Sequence, residues 1–201
     1  MRQINWKACS LIAVCLVLAS WSFALVYEGF VSNHYSSAFT WPFIDQPAAE
    51  RAYQRLEPTA TIKQREIAAQ RLIEADPTNP DSWNAVSYVE FLKAGQVMSP
   101  KALEALDHSY AVSFFDRPGC VWRIGFSLEN WAALPADLRK DVLAEANVAL
   151  KDAWLGPKLK ARLAEVKSPQ GQLAALMMQS QVEAETAQAR DQAKVQAQPP
   201  N

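Results

Sequence analysis

The residues equipped for acid–base or nucleophilic chemistry are few and scattered. The 201 residues hold two histidines and three cysteines. His108 follows Asp107 and precedes Ser109, but neighbours on a helix point about 100° apart, so these three do not form a triad by themselves. His108 and Cys120 would make a thiolate pair only if folding carried them together across a turn. Glu183 and Glu185 are paired carboxylates in an Ala/Gln-rich stretch, without the large apolar neighbours that a partly dry acid–base pocket needs. No phosphate-binding glycine loop, nucleophile elbow, His-Glu-x-x-His pair or metal-ligand spacing occurs. The sequence therefore predicts no catalytic residue, no metal and no cofactor, and leaves a small enzyme around His108, Cys120 and a carboxylate as the remote alternative.

Charge and cysteine usage narrow the classes further. Net charge is −1, and residues 48–167 come out near neutral with no basic block. Nucleic-acid binding is driven by phosphate neutralisation, so no nucleic-acid partner is expected. Cys9 and Cys15 fall in an apolar run, which leaves Cys120 without a partner for an internal disulfide. Cys120 reads as a buried small hydrophobe, with an intermolecular bridge as the alternative.

The strongest single feature is that apolar run. Residues 8–27, ACSLIAVCLVLASWSFALVY, are 20 consecutive residues without a charge. As a helix they span roughly 30 Å, the hydrocarbon thickness of a bilayer. Arg2 and Lys7 precede the run, and no Lys or Arg follows it until Arg51, so the positive-inside tendency puts the N-terminus in the cytoplasm and the rest outside. The rival reading is a signal peptide cleaved after Ser22-Phe23-Ala24, which would yield a soluble exported module. Against cleavage, Leu25, Val26 and Tyr27 carry the apolar run past that point. Both readings export the domain.

After the anchor (1–28) comes an aromatic linker, 29–47, with Tyr35, Phe39, Trp41 and Phe43. Residues 48–167 then read as helix after helix. Asn79-Pro80 and Ser99-Pro100 each place a capping side chain before a proline at the first helical position, where its missing N–H is harmless. Leu103, Leu106, Tyr110 and Phe114 recur at helical spacing, as do Val121, Ile124, Leu128 and Trp131. Leu138, Val142, Leu143, Ala146, Ala149 and Leu150 define one apolar face. No period-two alternation marks a strand. Residues 168–201 turn to Ala and Gln: Leu173, Leu176 and Met177 are the residues available to dock, and the rest reads as a helix fraying into disorder. The expected fold class is all-α: one N-terminal transmembrane helix, a small domain of α-hairpins, and a partly disordered tail.

The stretch Glu74-Ala75-Asp76-Pro77-Thr78-Asn79-Pro80-Asp81-Ser82-Trp83 resembles a junction between tetratricopeptide repeats, with the required six-residue step from Pro77 to Trp83. Trp83, Val86 and Ser87 match the aromatic, apolar and small positions of a first helix, and Val121, Ile124, Gly125 and Leu128 occupy the same offsets one helical pair later. Glu90 stands where the family has Tyr, Val121 replaces the aromatic with Trp122 beside it, and the offsets recur after 38 residues rather than about 34. The resemblance covers roughly residues 60–155. It implies helical hairpins that meet most closely at Ser87 and Gly125, and a concave groove for a protein partner. By offset, Asn84, Tyr88, Phe91, Trp122, Phe126 and Glu129 would line that groove. The run from Trp122-Arg123 to Leu138-Arg139 also resembles helical domains of polysaccharide-assembly systems. The sequence thus predicts a non-enzymatic scaffold, bound to the bilayer through residues 8–27, that docks other envelope proteins on the extracytoplasmic (in bacteria, periplasmic) side.

Overall fold

The computed structural model describes residues 17–20, 49, 50, 52–56, 59–117 and 119–196, and every regular element among them is helical. The all-α class is therefore correct. Among the described residues no helix is long and apolar enough to cross a membrane. Of the 8–27 run only residues 17–20 are described, helical and exposed; the rest of the anchor and the 29–47 linker lie outside the described residues. The chain divides into two compact units, Met1–Asp76 and Pro77–Asn201.

The first unit contains α1, Ile62–Ala75. Thr61 and Gln64 form a capping box: the Gln64 N–H donates to Thr61 Oγ1, and the Thr61 N–H donates to Gln64 Oε1 at 2.8 Å. Ala68, Ala69 and Leu72 are buried, whereas Ile62 and Ile67 are exposed.

The second unit is built from α2 (Pro80–Lys93), α3 (Pro100–Val112), α4 (Cys120–Glu129), a 3₁₀ turn (Trp131–Ala133), α5 (Ala136–Lys151), α6 (Leu155–Ala164) and α7 (Pro169–Gln196). Asn79 and Ser99 cap α2 and α3 by accepting from Asp81 N and Ala102 N, as their sequence signals predict. Gly95 and Gln96, both in the left-handed region, reverse the chain after α2, and the Gln96 N–H returns to Phe91 O at 2.9 Å. The two helices then pack as a hairpin, with Ser87 Oγ donating to the Ala102 carbonyl at 2.8 Å. A larger residue at 87 would push α3 away.

The core takes one stripe from each of the later helices. Leu106 and Tyr110 of α3 meet Ile124 and Leu128 of α4, Leu138, Val142, Ala146 and Ala149 of α5, and Leu155, Leu159 and Leu163 of α6. Three expectations need correction here. Phe114 does not continue the α3 stripe, because the helix ends at Val112 and Phe114 is exposed. Leu143 sits at the edge of its face and is exposed. Gly125 does not face the other helix of its own hairpin; a Cβ there would overlap the Arg162 side chain on α6.

The Ala/Gln-rich segment forms α7, and its leucines do not dock. Leu173, Leu176 and Met177 are more than 60% exposed, whereas Ala174, Ala175, Met178 and Val182 are buried. The reason is close approach: Gly171 lies against the main-chain oxygen of Leu128, so only small side chains fit the inner face at the start of α7. From residue 186 to 194 the helix is exposed on every side.

Candidate functional site

Four of the six residues assigned to the groove come together. Tyr88 and Phe91 project from α2, one turn apart, and Trp122 and Phe126 from α4, also one turn apart. Trp122 and Phe126 stack at 4.9 Å between ring centroids. Tyr88 meets both edge-on at 6.0 and 6.1 Å, and Phe91 meets Phe126 edge-on at 5.3 Å. These are the offset and T-shaped arrangements that ring quadrupoles favour. Phe126 is buried, Tyr88 and Phe91 are half-buried, and Trp122 is 41% exposed. The cluster thus has a packed base and one large aromatic at the surface.

Asn84 and Glu129 lie elsewhere in their local networks. Asn84 is 3% exposed and donates through Nδ2 to Asp81 Oδ1 at 3.2 Å, while its own Oδ1 is buried without a hydrogen-bond partner. The Glu129 carboxylate accepts from the N–H groups of Lys167 and Ser168 at 3.1–3.2 Å, immediately before α7. A carboxylate there satisfies orphan amides and faces the positive end of the helix dipole. Asn84 is therefore buried rather than lining a surface, while Glu129 is half-buried with its carboxylate engaged by main-chain amides.

The histidine, cysteine and carboxylates with catalytic side chains lie in different surroundings. The His108 ring stacks on Trp83 at 4.7 Å. Cys120 is fully buried, and its Sγ donates weakly to the Arg117 carbonyl. Burial, reinforced by the charges of Glu145 and Asp116, pushes its thiol up to about 11. A thiol so placed supplies almost no thiolate near neutrality. Glu183 and Glu185 both lie on α7, and Glu185 accepts from Lys151 at 2.6 Å. Among the described residues no three or more His, Cys, Asp or Glu side chains form a group that could hold a metal ion.

Sequence reasoning missed the polar knot at the centre of the second unit. Arg123 and Glu145 are both fully buried and form a two-pronged ion pair, with Arg123 Nε donating to Glu145 Oε2 at 3.1 Å and Nη2 to Oε1. The remaining guanidinium hydrogens go to the carbonyls of Ser109, Ser113 and Phe114 at 2.9–3.3 Å. Tyr110 donates to Glu145 Oε2 at 2.9 Å and lies under the guanidinium, whose carbon is 3.9 Å from the ring centroid. Burial opposes the Arg123 charge, but the hydrogen bond and charge of Glu145 outweigh it and raise its pKa. Burial, then the Glu145 charge, drives the Tyr110 phenol well above its ordinary range. With its donors engaged and the pair closed to solvent, the knot has no position open to a substrate. It fastens the irregular 113–116 segment to α4 and α5. The only sequence signal was a charge inside each apolar stretch, Arg123 between Trp122 and Ile124 and Glu145 beside Ala146.

A second polar group joins the first turn of α2 to the loop before α4. A Cβ on Gly119 would overlap carboxylate oxygens of both Asp81 and Asp116, so the two acids converge on that glycine. The Gly119 N–H donates to Asp116 Oδ2 at 3.0 Å. Burial and the neighbouring Asp81 raise the Asp116 carboxyl to about 6.

Comparison with family models, characterised proteins and solved structures finds no match.

Proposed function

We propose that this chain is a non-enzymatic scaffold, tethered to a membrane by residues 8–27, that docks a partner protein through the α2–α4 surface. The observation that carries the reading is the convergence of Tyr88, Phe91, Trp122 and Phe126 from two helices, with Trp122 left 41% exposed over a buried base. Aromatic residues seated in this way dominate the binding energy of protein interfaces. The capped α2–α3 hairpin and the Ser87 contact support a tetratricopeptide-like arrangement, in which the aromatic surface belongs to the groove. The uncharged N-terminal run and its flanking arginine and lysine support display on the extracytoplasmic side, next to other envelope components such as those assembling polysaccharide. A tether raises the local concentration of the domain around such partners, so modest affinity suffices.

The test is recovery of partners from detergent-solubilised membranes with the full-length protein and with Tyr88→Ala/Trp122→Ala. The double variant should keep its helical circular dichroism and lose the specific partners. Unchanged recovery by a folded double variant sinks the groove assignment. Cell fractionation tests the tether separately: a water-soluble mature protein beginning at Leu25 would establish cleavage after Ala24 instead.

A further inference from the structure

The outer side of α6 differs in charge from the helices before it. Residues 151–167 hold five Lys or Arg against two acidic residues, whereas residues 48–150 hold eleven against fourteen. Helix α6 itself contains no acid. It buries Leu155, Gly156, Leu159 and Leu163 and leaves Pro157, Lys158, Lys160, Ala161 and Ala164 exposed. The acids nearby are already engaged: Asp152 by Arg117 at 2.7 Å, Glu165 by Arg162 at 3.1 Å and Glu185 by Lys151 at 2.6 Å. None of these is left for Lys158 or Lys160. At the N-terminal end of the same side stands Trp154, 56% exposed and the most exposed aromatic among the described residues. Lys158 Nζ lies 3.2 Å from its ring centroid and the Arg117 guanidinium carbon 5.9 Å, so two cations share one indole.

We propose that this side of α6 rests on an anionic phospholipid surface. An indole ring suits headgroup depth, where one edge is apolar and the other wet. Lysine stems lie along apolar neighbours while their ammonium groups reach outward to phosphates. Each cation held near an anionic leaflet adds to the attraction. An acidic protein surface would match the charge equally well. Protein interfaces, however, draw their affinity from several packed anchors, and Trp154 is the one large apolar side chain exposed between residues 151 and 167. A headgroup layer asks only for shallow burial of such a ring. Access to a bilayer rests on the tether reading: residues 8–27 would hold the domain beside lipid, so a weak contact suffices. Bilayer and partner protein then use different helices, α6 for the first and α2 with α4 for the second.

The experiment places the full-length protein in phosphatidylcholine vesicles with or without about one-third phosphatidylglycerol. Hydroxyl-radical oxidation of Trp154 is read by peptide mass spectrometry, with Trp122 as the reference in the same sample. Phosphatidylglycerol should slow oxidation of Trp154 at least ~3-fold, leave Trp122 unchanged, and lose its effect at high salt. Lys158→Gln/Lys160→Gln should remove most of the protection, since each lost cation weakens the attraction roughly fivefold. Both lysines are exposed, so the Tm of that variant should match wild type. Equal oxidation of Trp154 in the two vesicle types, or protection that the lysine variant retains, overturns the proposal. Protection in native envelopes with none in the phosphatidylglycerol vesicles overturns it in favour of an acidic protein. If fractionation yields a soluble chain beginning at Leu25, the tether reading falls; the same footprint on that chain, added to preformed vesicles, then decides the α6 proposal separately.

Discussion

Replacing Arg123 with methionine keeps the unbranched apolar stem and removes the guanidinium. Glu145 is then left fully buried with the Tyr110 hydroxyl and the Asp116 N–H as its hydrogen-bond donors. The carbonyls of Ser109, Ser113 and Phe114 lose their donor as well. Breaking a buried pair from one side costs about 3–5 kcal/mol, against a typical domain stability of about 5–15 kcal/mol. For a unit of this size that corresponds to a Tm lower by roughly 10–20 °C. The deficit depends on pH. In the wild type, burial pushes the Glu145 carboxyl up, and the hydrogen bond and charge of Arg123 oppose it. Without Arg123 only the hydrogen bonds from Tyr110 and the Asp116 N–H still oppose the upward push. The variant's stability is therefore fully present below the ordinary glutamate value of about 4.3 and is lost as pH rises through the raised folded value. Thermal unfolding by circular dichroism should show a smaller gap from wild type at about pH 5 than at about pH 8. The double variant Arg123→Met/Glu145→Leu removes both charges and should be more stable than Arg123→Met alone. A single variant within about 1 kcal/mol of wild type at both pH values would refute the argument that the pair is closed to solvent and water cannot replace the guanidinium.

Other substitutions separate surface from core. Trp122→Ala should cost little stability because the ring is already 41% exposed, whereas Phe126→Ala, at 7% exposure, should cost about 3–5 kcal/mol in chemical denaturation. Cys120 should resist thiol reagents in the native state near neutral pH and react fully in denaturant; rapid native labelling would contradict its burial and its thiol pKa of about 11. Gly171→Ala should destabilise by about 1–3 kcal/mol, because its Cβ meets the main-chain oxygen of Leu128, which cannot swing away. Gly125→Ala meets the movable side chain of Arg162 instead, and the helix propensity of alanine offsets the contact, so its melting temperature should stay close to wild type.

The helical content and the beginnings of α2 and α3 were legible because they rest on local physics. Asn79-Pro80 and Ser99-Pro100 act within one turn of themselves, and apolar spacing marks the faces of α4 and α5. The aromatic part of the candidate site was legible for a related reason. Tyr88 and Phe91 recur one turn apart, as do Trp122 and Phe126, so each pair shares a helix side whatever the rest of the chain does. The burial of Asn84 beside Asp81 and the bonds from main-chain amides to Glu129 were not legible, because offset alone cannot distinguish a groove-facing polar residue from one that meets a neighbouring carboxylate or an orphan helix amide. The inner face of α7 was misread because hydrophobicity favours leucine, while the backbone of α4 approaches too closely at the start of that helix, where glycine and alanine face inward.

By itself, the sequence determined helix positions, the uncharged 20-residue run at the N-terminus and the scarcity of catalytic side chains, since each follows from neighbours along the chain. Tertiary structure alone decided that Arg123, Glu145 and Tyr110 form one buried knot, that Asp81 and Asp116 converge on Gly119, and that Leu173, Leu176 and Met177 face outward. These outcomes depend on how closely one helix approaches another. That distance is set by side chains many residues apart, and no local pattern encodes it.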